Sequence, residues 1–185
     1  RLPAAADNTR SLVLADVDGD GDLDLALGNL GYVNASSPST RLYLNDGTGT
    51  FTDATATLIP AGMHPTSSLV LGDVDGDSDL DMVLGSARQW SSTWIQNKYG
   101  GYWSHSLVAG QSRLYLNNGT GAFTDATATR MPSVLDRNAP LGIGDVDGDN
   151  DLDLVIGSDG RLFVNDGTGT FTDATATRLP VANSD

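Results

Sequence analysis

The chain has 185 residues, a formal net charge of −14 and no cysteine. A charge of that sign argues against polyanionic partners, which excludes nucleic acid and anionic membrane surfaces as ligands of the whole surface. No run of 18 apolar residues is present, so no segment reads as a membrane span, no signal-peptide pattern is seen, and disulfides are not available as staples.

The first predicted elements are two short strands around an acidic loop. Ser11-Leu12-Val13-Leu14 leads into Asp16-Val17-Asp18-Gly19-Asp20-Gly21-Asp22-Leu23-Asp24, and the chain leaves through Leu23-Asp24-Leu25-Ala26-Leu27. Carboxylates at alternate positions repel one another unless a cation sits among them. Aspartates at positions 1, 3 and 5 with glycine at 4 give the sharp, oxygen-rich turn that suits a hard cation such as Ca²⁺. The order begins like an EF-hand loop, but no bidentate glutamate stands at position 12 and the flanks are strands. After a moderate link to Thr40, Arg41 to Thr57 reads as two strands joined at Asn45-Asp46-Gly47, a strong hairpin signal.

The same unit returns twice. Leu69-Val70-Leu71, the loop Asp73 to Asp81 and the hairpin Arg113 to Thr129 form the second copy. The loop Asp145 to Asp153, Leu154-Val155-Ile156 and Arg161 to Thr177 form the third. All 24 acidic residues are Asp, and 15 of them lie in the three loops, so much of the charge is internal to candidate cation sites. Aspartate is a poor helix former, and nothing reads as a long amphipathic helix. Asn34-Ala35-Ser36 and Asn118-Gly119-Thr120 fit the glycosylation sequon, although Asn118 also has a turn role.

At the level of whole repeats, the units resemble FG-GAP or VCBS-type repeats, the blade sequence of integrin-alpha-like beta-propellers. The resemblance rests on the Asp-Val-Asp-Gly-Asp-x-Asp-Leu-Asp loop and the Leu-Tyr-Leu-Asn-Asp-Gly-Thr-Gly-Thr-Phe-Thr-Asp hairpin, and covers nearly the whole chain apart from one insertion. It implies one calcium ion in each loop, on the face opposite the usual ligand-binding loops. Carried over to this chain, the implied side-chain ligands are Asp16, Asp18, Asp20 and Asp24, then Asp73, Asp75, Asp77 and Asp81, then Asp145, Asp147, Asp149 and Asp153. Asp22, Asp79 and Asp151 would give backbone carbonyls, with their carboxylates nearby.

The expected fold is therefore all-β, a beta-propeller of four-stranded antiparallel blades. Blade 1 spans about 10–57, blade 2 about 67–129 with an insertion at 86–112, and blade 3 about 140–177; 178–185 opens a next linker. Propellers usually close with about four to eight blades, so three are expected to belong to a larger ring, completed by further blades or identical subunits. The chain starts and ends in the same phase of the repeat, as a window from a longer array would. An open arc would leave two apolar blade faces exposed.

Function is expected where the copies differ. The link between the second and third strands is very short in blade 3, moderate in blade 1 and long in blade 2. The 86–112 insertion holds all three Trp residues (Trp90, Trp94, Trp103), Tyr99, Tyr102, His105 and the only Lys, Lys98. Aromatic rings beside amides and charges suit stacking on sugars, or anchoring a protein interface; packing of the insertion onto the propeller is the competing reading. A helical turn would align Trp90 with Trp94. His64, in a linker, reads as exposed. The leading expectation is an extracellular or cell-surface, calcium-stabilised binding and adhesion module whose ligand is a carbohydrate or an extracellular protein. A structural repeat array and a polysaccharide-degrading enzyme are the alternatives. No catalytic constellation stands out, since glutamate is absent and most Asp residues are committed to the loops.

Overall fold

The repeated apolar runs form strands that pack blade against blade, most completely in the middle sheet. The structure, a computed structural model, describes residues 7–30, 40–62, 64–136, 140–157 and 160–180, with the backbone alone for 89–92, 105, 107 and 108. Strands β1 (Thr9–Ala15), β2 (Asp24–Asn29), β3 (Thr40–Asn45) and β4 (Phe51–Asp53) make one antiparallel sheet in that order, followed by the short helix α1 (Thr55–Leu58). Next come β5 (Thr66–Gly72), β6 (Asp81–Ser86), β7 (Gln89–Ile95), β8 (Tyr102–Val108), β9 (Arg113–Leu116), β10 (Thr124–Asp125) and α2 (Thr127–Arg130). The second sheet runs β5-β6-β9-β10, and β7-β8 forms a separate two-stranded hairpin. Strands β11 (Leu141–Gly144), β12 (Asp153–Ile156), β13 (Arg161–Asn165) and β14 (Phe171–Asp173), then α3 (Thr175–Arg178), complete the third sheet.

Three four-stranded antiparallel sheets in series are the architecture of propeller blades. Strand β1 lies against β5 and β5 against β11, so the first strands of successive blades meet. Val17, Ala26 and Leu42 of blade 1 pack on Leu69, Met82 and Tyr115 of blade 2. Val74, Val83 and Leu114 of blade 2 pack on Leu154, Ile156 and Phe163 of blade 3. Every residue of β6 is buried, as a strand between two neighbouring blades must be.

The outer blades lack one such neighbour among the described residues. Leu69 is 3% exposed in the middle blade, whereas Leu12, its counterpart in blade 1, is 62% exposed. Val74 is 2% exposed, and its blade 3 counterpart Val146 is 50% exposed.

The hairpin run reads as strand as far as Thr57 from sequence, but the fourth strand stops at Asp53 and a helical turn follows. Thr55 causes the exit. Its Oγ1 accepts the Leu42 amide at 3.1 Å and its own amide donates to Asp53 Oδ1 at 3.0 Å, which replaces the sheet ladder with side-chain bonds. Thr127 and Thr175 repeat the device with Leu114 and Leu162.

Each blade has two distinct ends. Pairing of Ala15 with Asp24 and of Asn45 with Phe51 puts the acidic loop and the hairpin turn together at one end. Pairing of Thr9 with Asn29 and of Gly28 with Thr40 defines the other end, from which the β7-β8 hairpin leaves blade 2.

That hairpin is a strand pair where a helical turn was the expected way to align Trp90 with Trp94. The period of two in a strand puts residues 90 and 94 on one side all the same; the Trp90 side chain lies outside the described residues. Trp94 pairs with Trp103 and Ile95 with Tyr102 in the register. The base is anchored: Gly110 exchanges backbone hydrogen bonds with Asp136, and buried Asp136 Oδ2 accepts the Ser112 amide at 3.1 Å.

Candidate metal centres

The first residue of each acidic loop organises it. Asp16 Oδ1 accepts the Gly19 amide at 2.8 Å and Oδ2 accepts the Gly21 amide at 2.9 Å. Asp73 does the same with Gly76 and Ser78, and Asp145 with Gly148 and Asn150. These bonds curl the loop around its first carboxylate and force the sixth residue to positive φ. Gly21 meets this freely, whereas Ser78 (φ 76°) and Asn150 (φ 72°) adopt it against the preference of side-chain-bearing residues.

The last aspartate ties the loop to the hairpin. Asp24 Oδ2 accepts the Val17 amide at 3.0 Å and Oδ1 the Asn45 amide at 2.9 Å. Asp81 and Asp153 repeat both bonds. Together with the third position, this produces three clusters: Asp16, Asp18 and Asp24; Asp73, Asp75 and Asp81; Asp145, Asp147 and Asp153. In each, one carboxylate oxygen per residue lies within 4.8 Å of the others.

The remaining loop aspartates are not members of these clusters, but Asp20 and Asp77 lie close enough to help raise Asp18 and Asp81. Asp20, Asp77 and Asp149 accept the amides of Asp22, Asp79 and Asp151 at 2.8–3.0 Å. Asp22 lies against the hairpin turn, where a Cβ on Gly47 would be 2.5 Å from its Oδ2. Gly119 stands in the same way to Asp79, and Gly167 to Asp151. The hairpin glycine therefore serves both a positive φ and a close approach.

In loops 1 and 2, beyond the effect of burial, the gathered carboxylates raise one another. Burial, with backbone bonds opposing it and the Asp75 and Asp77 charges adding to it, pushes the Asp81 carboxyl up to about 6. Asp18 is raised by burial and then by Asp20, and Asp24 by burial with the Asp18 and Asp20 charges adding to it. Asp75 Oδ1 is buried with no hydrogen-bond partner among the described residues. Converging oxygen donors in all three loops, with carboxylates raised towards protonation in loops 1 and 2 and an orphaned carboxylate oxygen in loop 2, fit a hard divalent cation, which would supply positive charge.

Two groups that the sequence did not flag complete the setting. Asn117 Nδ2 of blade 2 donates to Val17 O of the blade 1 loop at 2.8 Å, and Asn165 Nδ2 of blade 3 donates to Val74 O at 2.7 Å. Each loop between blades is thus held by the next blade. The recurrence of Asn45, Asn117 and Asn165 was the available signal, hidden inside the hairpin motif. The second group is cationic: Arg130 Nη1 lies 3.7 Å from Asp75 Oδ2 and Arg178 Nη1 2.6 Å from Asp147 Oδ2, whereas Leu58 ends the corresponding helix in blade 1.

Comparison with known families follows the same units. Residues 28–84, 102–156 and 145–185 match the FG-GAP-like repeat, and residues 8–44 match the FG-GAP repeat. The chain belongs to the FG-GAP-like repeat family. Comparison with curated proteins gives no match. The first FG-GAP-like match runs from the end of β2 through the hairpin and into β6, so the family unit straddles two blades. Its acidic loop is the one bound by the hairpin of the following unit.

Away from the loops, the recurring arginines form pairs within blades: Arg41 with Asp53, Arg113 with Asp125 and Arg161 with Asp173. His64 is half-buried between blades 1 and 2, not exposed as its linker position suggested, because its chain segment folds into the cleft. The described aromatic side chains of the insertion, Trp94, Tyr99, Tyr102 and Trp103, are exposed. Trp94 and Trp103 pack edge to face with centroids 5.3 Å apart and remain about half exposed, and Tyr99 is 85% exposed with Lys98 Nζ 4.9 Å from its ring centroid. Trp94 Nε1 donates to Gln96 Oε1 at 3.1 Å. Asn34 lies outside the described residues, and Asn118 uses its Oδ1 to accept the Thr120 amide in the turn.

Proposed function

We propose that this FG-GAP-like repeat protein is an extracellular binding and adhesion module. Three calcium ions set its framework, and the aromatic hairpin of blade 2 contacts a carbohydrate. The observation that carries the reading is the exposed cluster of Trp94, Trp103, Tyr102 and Tyr99 at the tip of an anchored hairpin. Such rings would lose solvent by stacking on sugar faces, while Gln96 and Lys98 supply hydrogen bonds. Calcium follows from the all-oxygen donor set, and loops of this kind stay filled where calcium is abundant, which favours the outside of the cell. No catalytic step enters this reading, as Asp53, Asp125 and Asp173 are engaged by arginine and backbone amides.

The exposed faces of blades 1 and 3 favour further blades or identical subunits stacking there. A buried Leu or Val is worth roughly 1.5–3 kcal/mol over an exposed one, and Leu12 and Val146 sit where Leu69 and Val74 are buried. This also supports a second reading, a repeat array in which the hairpin docks neighbouring units.

The test is glycan-array binding in calcium by the parent and by Trp94→Ala and Trp103→Ala, with thermal melting as the control. Binding lost in both variants at unchanged melting temperature is the expected result. No binding by the parent, with both variants failing to associate into larger species, would replace the lectin-like reading with the array.

A further inference from the structure

The repeat supplies an internal comparison at the end of the blades opposite the acidic loops. In blade 1, Arg41 is held from two sides. Its Nη1 donates to Asp53 at 3.0 Å, and its Nε and Nη2 grip both oxygens of Asp7 at 2.5 and 3.2 Å. In blade 2, Arg113 occupies the place of Arg41, pairing with Leu84 as Arg41 pairs with Leu27. Its Nη1 likewise reaches Asp125 at 2.7 Å. The second acidic partner is not repeated. Asp7 stands two residues before Thr9, which pairs with Asn29; the residue two before Thr66, which pairs with Ser86, is His64. The backbone follows the same path, with Leu30 N donating to Asn8 O and Ala87 N to Pro65 O.

A fork built to take a carboxylate thus faces an imidazole. Arg113 Nε is buried and has no acceptor among the described residues. It lines a cavity of about 110 Å³ with His64, Ser86, Gly110 and Gln111. His64 also lines a second cavity, of about 390 Å³, between blades 1 and 2, where Ile59, Pro60 and Tyr115 give an apolar wall and Thr40, Thr55 and the Arg41–Asp53 pair give polar edges.

We propose that blade 2 binds the carboxylate group of a small organic acid on the Arg113 fork, in the place that Asp7 fills in blade 1, with the body of the acid passing His64 into the larger cavity. Guanidinium recognition of a carboxylate is bidentate and charge-assisted, and blade 1 displays the complete arrangement. The larger cavity has room for an aromatic ring or a single sugar ring. This site is separate from the aromatic hairpin, so it stands or fails without the carbohydrate reading.

The test is a titration of ¹⁵N-labelled, calcium-loaded protein with acetate, phenylacetate and D-glucuronate at constant ionic strength, following the arginine Nε–H resonances. Arg113 is expected to shift saturably in the millimolar range while Arg178, which pairs with Asp147 away from both cavities, stays in place. Tighter binding of phenylacetate than of acetate identifies an apolar acid, and tighter binding of glucuronate a sugar acid. Equal binding of all three overturns the role given to the larger cavity. His64→Asp, which supplies the blade 1 carboxylate internally, is expected to weaken acetate binding by roughly tenfold or more and to raise the melting temperature. Arg113→Lys, which keeps the charge and loses the fork, is the second variant and is expected to weaken binding in the same direction. An Arg113 resonance that does not move, one that drifts without saturation together with Arg178, or a His64→Asp protein that binds acetate like the parent overturns the proposal.

Discussion

The three acidic loops differ least in sequence and most in the cation beside them, and this predicts unequal metal affinities. Arg130 and Arg178 place a guanidinium against the second aspartate of loops 2 and 3, Asp75 and Asp147, and blade 1 has Leu58 in that place. The perturbation is Arg130→Leu and, separately, Arg178→Leu. Unit charges about 4 Å apart interact by about 1 kcal/mol in a water-like dielectric, and a dication doubles this. The side chains of Arg130 and Arg178 are 32% and 44% exposed, so solvent and salt reduce the effect. A net relief of about 1 kcal/mol is expected, roughly a fivefold gain in calcium affinity at the altered loop. The metal-free protein should respond oppositely to Arg130→Leu. Arg130 also donates to Thr168 O of the blade 3 turn, and that link between blades is lost. The assay is calcium titration by calorimetry at low and high salt, with chemical denaturation in chelator alongside. The gain should shrink in high salt. Unchanged or weaker calcium binding in both variants would refute the reasoning, because the guanidinium would then not oppose the cation.

Three further outcomes follow from local geometry. Ser78→Gly relieves a positive φ that Gly21 meets without strain and should raise stability by about 0.5–1 kcal/mol in denaturant titration. Gly47→Ala sets a Cβ 2.5 Å from Asp22 Oδ2 at φ 74° and should cost roughly 1–3 kcal/mol, read as a lower melting temperature in both calcium and chelator. Burial, then the charge of Arg113, holds His64 below its ordinary value of 6.5, so the unfolded chain takes up a proton before the folded one as pH falls. Stability should therefore decline below about pH 6.5, more in the parent than in His64→Gln, as followed by denaturation midpoints across that range.

The fold was legible because each blade states itself three times. The acidic loop, the apolar second strand and the Asn-Asp-Gly turn are local signals, and each fixes an element without reference to the rest of the chain. The candidate site was legible only as a composition. Alternating aspartates mark a loop that gathers carboxylates, but which of them converge depends on the curl imposed by Gly19 and Gly21 and on the grip of Asp24 on Val17 and Asn45. That curl brings Asp16, Asp18 and Asp24 together and leaves Asp20 bonded to its own loop. The links of Asn117 to Val17 and Asn165 to Val74 join residues about a blade apart in space and far apart in sequence, where no local pattern reaches. His64 was misread for the same reason: a linker residue next to proline carries no sign that two blades close around it.

The position of the aromatic hairpin follows from this interlocking. At the loop end, each blade is tied to the next by an asparagine, and the Gly119 and Gly167 carbonyls close on the glycines of the preceding loop. An insertion there would part the turn from the carboxylates it covers and weaken a metal site with each added residue. At the opposite end, the link between the second and third strands runs over 158–160 in blade 3 and 86–112 in blade 2, while the β12-β13 and β6-β9 pairings keep the same register. The candidate metal loops and the hairpin proposed to contact a ligand thereby lie at opposite ends of the strands. The separation has a measurable form: shortening the β7-β8 hairpin to the blade 3 link should leave all three calcium affinities unchanged and remove glycan binding. Loss of calcium binding in that deletion would mean that the two ends of the blade are coupled and that the separation argued here is wrong.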